Sequence, residues 1–378
     1  MVRILMRCQD FRPDTIVGFF AVRCELLTAG CGAFVRASRC AFLLALICLQ
    51  WWPYAQERAE ARQLSIKEAI QERPPDIPHA WKGLIGEYKL DSDTVCVLEK
   101  DGALHFKDSR GLYRLRSEGD DRFTISPSWL SGDTMCVFRR NAAGLAVSFA
   151  ARTSTFERIF FGGESGASFR ITPLKSVDVL RREALHASPP KEEGTFLKPD
   201  LVELKLLDST IHLDVRYATT NNFLGERFYS QARAFLQRPA AEGLVRVHRS
   251  LRELGYGVLI HDAYRPWYVT KMFWDATPQE HKDFVADPAK GSRHNRGCAV
   301  DLSLYDLKTG AAIEMASGYD EFSHRAYPNY PGGTSLQRWH RQLLRRVMEE
   351  QGFRVFEVEW WHFDYKDWRD YPIGTLTL

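Results

Sequence analysis

A chain of 378 residues that is 45% hydrophobic and 12% aromatic can bury a large core and has room for two domains. A net charge of +3, with no long basic run interleaved with aromatics, leaves no footprint for nucleic acid. Five of the eight cysteines (Cys8, Cys24, Cys31, Cys40, Cys48) precede residue 50, so Cys96, Cys136 and Cys298 alone cannot make a disulfide framework.

In chain order, residues 1–63 do not read as a folded domain. Arg36 and Arg39 precede the apolar run Ala41–Leu49, which is short for a bilayer span and has the shape of a secretory signal. The expectation is export, to the periplasm, with an uncleaved N-terminal membrane anchor as the alternative. Residues 80–175 alternate short apolar runs with turn chemistry such as Asp101-Gly102 and Gly119-Asp120-Asp121, the rhythm of a hairpin meander. That predicts a small all-β barrel or sandwich. Asp93-Thr94-Val95-Cys96-Val97 echoes Asp133-Thr134-Met135-Cys136-Val137, as two similar hairpins of one domain would. Cys96 and Cys136 read as two core cysteines, with a disulfide between them as the alternative.

Residues 176–199 read as a short helix and a polar, proline-bearing linker. From 200 to 378 the expectation is an α+β domain. Leu201–Leu207 and Ile211–Tyr217 read as strands, and Ala240–Leu254 as a helix with Pro239 before it and Gly255 after it. A strand over Gly257–His261 delivers Asp262-Ala263-Tyr264-Arg265-Pro266 at its end, where Pro266 cannot continue a ladder. Trp267–Ala276 and Ser335–Gln351 read as helices, and His324 and His340 as surface or loop histidines.

The chemistry concentrates in two stretches. Gly291-Ser292-Arg293-His294-Asn295-Arg296-Gly297 leads into the alternating run Ala299–Leu304, which carries Asp301; Glu359-Trp360-Trp361-His362 lies near the end. An aspartate inside an apolar strand is costly unless it is paired or binds a metal. Two histidines and one carboxylate, with a second carboxylate to spare, make the inventory of a catalytic zinc site: three ligands, an open position and a base. Glu359 and His362 are three apart, so the chain must bend near Trp360 for both to serve one metal. Cys298 has no base specified for it and is not read as a nucleophile.

These residues resemble the D-alanyl-D-alanine dipeptidases of the vancomycin-resistance type, zinc peptidases that share a fold with D,D-carboxypeptidases and the Hedgehog signalling domain. The family pattern S-x-H-x-x-G-x-A-x-D stands as Ser292, His294, Gly297, Ala299 and Asp301; E-x-W-H stands as Glu359, Trp361 and His362. Further blocks match at Asp214–Phe223, Asp262–Pro266 and Gly318–Phe322. The resemblance implies one zinc ion per chain on His294, Asp301 and His362, with Glu359 as base and Arg265 stabilising the oxyanion. It also implies that Tyr217, Ser292 and Asp320 hold the amino end of a small D,D-dipeptide. A zinc carboxypeptidase or endopeptidase acting on peptidoglycan stems is the nearest alternative, and a non-catalytic wall-binding protein a further one. The β-domain resembles small lipocalin-like barrels and is the candidate for any contact with the cell wall.

Overall fold

The computed structural model describes residues 72–125, 132–162 and 168–377. The 1–63 segment, on which export or anchoring rests, lies outside them. Among the described residues no helix is long and apolar enough to cross a membrane.

The β-rich region is a closed antiparallel barrel of eight strands: β1 (Gly86–Leu90), β2 (Asp93–Lys100), β3 (Ala103–Lys107), β4 (Leu112–Gly119), β5 (Arg122–Ile125), β6 (Thr134–Arg140), β7 (Ala146–Ala151) and β8 (Ser154–Arg158). Asp101 and Gly102 both adopt positive φ, 51° and 74°, the twist a two-residue hairpin turn needs. Tyr88 pairs with Arg158 across the closing seam of β1 and β8.

Every second side chain points inward, and the interior is filled by Tyr88, Phe106, Phe123, Phe138, Phe149 and Phe156. Phe149 and Phe156 stack at 4.6 Å. The closed barrel of eight sequential strands is the small barrel expected from the hairpin rhythm, and aromatic side chains fill its interior.

The sequence echo does not survive as a structural repeat. Val95 and Val97 face the barrel core with Cys96 turned outward, whereas Cys136 faces the core between exposed Met135 and Val137. A one-residue difference in phase flips every side chain to the other side of the wall. Cys96 and Cys136 are accordingly free thiols, as is Cys298.

Helix α1 (Val177–His186) follows, and Leu180 and Ala184 are wholly buried in the core of the C-terminal half. The stretch beyond it is docked rather than loose. Glu192 accepts from Arg296 NH2 at 2.6 Å and from the Ile373 amide at 2.6 Å, and the Leu197 amide donates to Asp370 O. A chain beginning near Phe196 therefore uncovers the hole that Leu180 fills. We expect it to be less stable than one beginning near Ser168 by the ~2–5 kcal/mol of a large-to-small core change. Urea unfolding of the two checks this, and equal midpoints would show that the helix adds nothing.

The C-terminal half is built on a five-stranded sheet in the order β10 (His212–Leu213), β12 (Tyr256–Asp262), β13 (Ala299–Asp306), β15 (Glu359–Tyr365), β14 (Phe353–Phe356). A two-stranded ribbon of β9 (Leu201–Glu203) and β11 (Phe235–Gln237) lies beside it. Helices α2 (Arg238–Glu253), α3 (Trp267–Ala276) and α4 (Ser335–Glu350) pack apolar faces into the same core as Val258, Ile260, Val300, Leu302 and Leu304.

The long strands expected over 201–207 and 211–217 are shorter. Leu204–Leu207 is a helical turn, and Tyr217 sits in a tight turn over Arg216–Ala218 rather than at a strand end. His340 is also not superficial: it is buried, and its Nε2 meets Tyr256 OH at 2.9 Å.

Candidate metal centre

Register across three neighbouring strands assembles the site. Asp262 on β12 stands opposite Asp301 on β13, and Asp301 stands opposite His362 on β15. His294 reaches them from the loop before β13, where a turn over His294–Arg296 is closed by Gly297 at φ 68°, a conformation that favours glycine. Asn295, fully buried, nails this loop down: its amide donates to Arg265 O at 2.8 Å and to Thr270 Oγ1 at 2.9 Å. Its Oδ1 accepts from the Ser292 amide at 2.8 Å, while Ser292 Oγ accepts from the His294 amide at 3.2 Å.

Three donor atoms converge. His362 Nδ1 lies 3.0 Å from Asp301 Oδ1, His294 Nε2 lies 3.3 Å from the same oxygen, and the two ring nitrogens are 3.1 Å apart. The outer nitrogens identify the inner lone pairs. His294 Nδ1 faces Ala263 O at 2.7 Å, and His362 Nε2 faces Asp364 Oδ1 at 2.9 Å. Both partners can only accept, so each ring donates outward and, when neutral, turns a bare nitrogen inward.

Such a centre demands positive charge. Burial opposes a charged His362, yet Asp364 and Asp301 outweigh it and push that imidazole up to about 10. Burial likewise opposes an ionised Asp301, but His294 and His362 hold its carboxyl well below the ordinary range. A proton or a metal cation can meet the demand, and two imidazoles with one carboxylate are the donor set of a transition metal. The residues present fit a metal ion.

The spare carboxylate is at hand. Glu359 Oε2 lies 3.7 Å from His362 Nδ1. The bend required between them is real: Val355 pairs with Phe363 but Phe356 already pairs with Glu359, so β15 carries extra residues against one step of β14. Burial pushes the Glu359 carboxyl up to about 7, with Asp301 and Asp364 adding to the rise while His362 and Arg265 oppose it.

Arg265 is buried with its Nε and NH2 on Asp262 Oδ2, at 2.8 and 2.7 Å, and NH2 is 3.7 Å from Asp301 Oδ2. Its guanidinium lies over the rings of Phe273 and Tyr217. The arginine is thus both ion-paired and aimed at the centre. Tyr217 OH donates to Asp320 Oδ2 at 2.9 Å, and Tyr319 OH lies 3.1 Å from Asp301 Oδ2. Burial, with Asp301 and Glu359 nearby, raises the Asp320 carboxyl well above its usual range.

All eight residues singled out from the sequence thus belong to one connected region, though Ser292 acts here as a loop brace. Four others were not foreseen: Asp262, Asn295, Tyr319 and Asp364. Asp364 had a legible signal, because it follows His362 by two positions in a strand and shares its face. A cavity of about 980 Å³ is lined by Leu259, His261, Ser303, Tyr319 and the barrel's Ile85 and Arg158, and the three converging donors and Glu359 are not part of its wall.

The comparisons with known proteins agree with this geometry. The model of peptidase family M15, described as D-Ala-D-Ala dipeptidase, matches residues 198–372. A D-alanyl-D-alanine dipeptidase of Escherichia coli is 33% identical over 174 residues, 46% of this chain and 89% of that protein. The enzyme of the same name from Enterococcus faecium is 32% identical over 190 residues, covering 44% and 92%. One from Streptomyces coelicolor is 30% identical over 195 residues, covering 44% and 95%. With nearly the whole of such relatives matched by its C-terminal half, the chain belongs to the D-alanyl-D-alanine dipeptidase family of metallopeptidases.

Proposed function

We propose that this protein hydrolyses the dipeptide D-Ala-D-Ala with one zinc ion per chain, in bacterial cell-wall metabolism or glycopeptide resistance. The observation that carries it is the convergence of two outward-donating histidines and one carboxylate beside a carboxyl held near neutrality. His294, Asp301 and His362 hold the metal, which when bound supplies Lewis acidity and makes water nucleophilic near neutral pH.

The remaining roles belong to the chain. Glu359 takes the proton from the attacking water and passes it to the leaving amine. Arg265, kept in place by Asp262, offers guanidinium charge to the oxyanion that develops at the scissile carbonyl. Asp320, Tyr217 and Ser292 receive the amino end. The apolar run in 1–63 supports export of the enzyme.

Length selectivity follows from Asp320. A free ammonium lets this buried carboxyl ionise and gain charge-assisted hydrogen bonds, which are worth ~1.5–3 kcal/mol. An acylated nitrogen brings no such charge, so Asp320 stays protonated and that gain is lost, about one to two decades in rate at ~1.4 kcal/mol each. We expect kcat/KM for D-Ala-D-Ala to exceed that for N-acetyl-D-Ala-D-Ala about ten- to a hundredfold, and Asp320→Asn to narrow the gap. Equal cleavage of both substrates by the wild type would make the protein a carboxypeptidase acting on stem peptides.

A further inference from the structure

The matched relatives are covered almost end to end by the C-terminal half, so the barrel is an addition with no role assigned to it. Its docking surface is unusual. Glu87 lies on the outer face of β1 and Glu99 at the barrel rim, and their exposures are 3% and 2%. Burying two carboxylates between domains is costly unless each is matched by fixed partners.

Across the interface the partners all lie in the stretch from 324 to 338; within the barrel Glu99 Oε1 also accepts from the Gly102 amide at 2.8 Å, and Glu87 Oε2 has no hydrogen-bond partner. Glu87 Oε1 accepts from His324 Nε2 at 2.7 Å and from Tyr330 OH at 2.8 Å. Glu99 Oε2 accepts from the Ser335 amide at 2.6 Å, at the first turn of α4, where a carboxylate is also favoured by the helix dipole. The Glu99 amide donates to Gly333 O at 3.1 Å, and Arg338 NH2 donates to Glu99 O at 2.6 Å.

This clamp begins four residues after Asp320. Between them Glu321 ties a knot: its carboxylate accepts from the Gly318 amide at 3.2 Å and from Ser323 Oγ at 2.6 Å, and pairs with Arg325 Nε at 3.2 Å. Asp320 itself sits at φ 58°, a strained backbone for a non-glycine residue that persists only when its surroundings enforce it.

We propose that the barrel is a positioning domain for the substrate loop: Glu87 and Glu99 clamp the 324–335 segment and so hold Asp320 in place for the substrate's ammonium. The clamp touches neither metal donor nor base, so it acts on substrate binding and not on the chemical step. This deepens the dipeptidase reading and rests on it for the identity of the ligand.

The test uses the full chain with Glu87→Gln and Glu99→Gln combined, and Tyr330→Phe, which removes one hydroxyl and leaves the packing. Amide hydrogen exchange over 318–325, bound metal, kcat and KM are read together. The double variant should exchange faster over 318–325 and raise KM about tenfold, equivalent to ~1.4 kcal/mol, with kcat within about twofold and metal unchanged. Tyr330→Phe should move exchange and KM the same way by less, and it carries the test alone if the double variant does not fold. Unchanged KM in a folded variant overturns the proposal, whether or not exchange rises; so does a fall in kcat alone. If the wild type fails to cleave D-Ala-D-Ala, the dipeptidase reading falls separately, while exchange still reports on the clamp: equal exchange in variant and wild type then overturns it.

Discussion

Glu359→Gln should keep its metal and lose at least the ~10²–10⁴ in kcat that a positioned acid–base group supplies. The amide has the carboxylate's shape but cannot accept a proton, and Glu359 is not one of the three converging donors. Burial has moved this carboxyl from an ordinary 4.5 to about 7, which suits a group that must first take a proton and then return it. The basic form is the one that starts the cycle, so kcat/KM of the wild type falls as pH drops through the folded value. A cation on the neighbouring triad pulls that value down, placing the acid limb below about 7. Metal analysis and turnover on the same sample decide the assignment. A loaded variant with near-normal turnover would remove Glu359 from the mechanism.

His294→Ala should lose the metal itself. The ring is oriented from outside by Ala263 O, and its loop is pinned by Asn295. Asp301 and His362 remain, two donors where three stood. The loss in affinity should exceed the ~10–100-fold that changes to outer partners cost. Titrating metal into the stripped variant measures it directly, and activity at stoichiometric metal should vanish with occupancy. Full occupancy at one equivalent would contradict the ligand set.

Much of the site was legible because its chemistry is expensive to explain otherwise. Asp301 interrupts an apolar strand, and Glu359 and His362 flank two tryptophans, so residue type and position together pointed to a ligand set. The supporting groups were less visible. Asp262 and Tyr319 matter only through the side chains they meet, Arg265 and Asp301, and those meetings depend on strand register across residues far apart in the chain. Asn295 read as one more loop residue, although its amide holds the loop to Arg265 and Thr270.

The fold shows the same division. Hairpins announced themselves through Asp-Gly turns, but barrel and sandwich differ only in whether β1 meets β8, a pairing of Tyr88 with Arg158. The polar stretch after α1 has linker composition, and only its contacts, Glu192 with Arg296 and Ile373 and Leu197 with Asp370, reveal that it is docked.

The most direct measurement is release of free D-alanine from D-Ala-D-Ala by protein stripped of metal and then given zinc. The zinc centre built by His294, Asp301 and His362 predicts no release from the stripped protein and restored release at one equivalent of zinc. Undiminished release from protein shown to be metal-free, or none from the zinc-loaded protein, would contradict it.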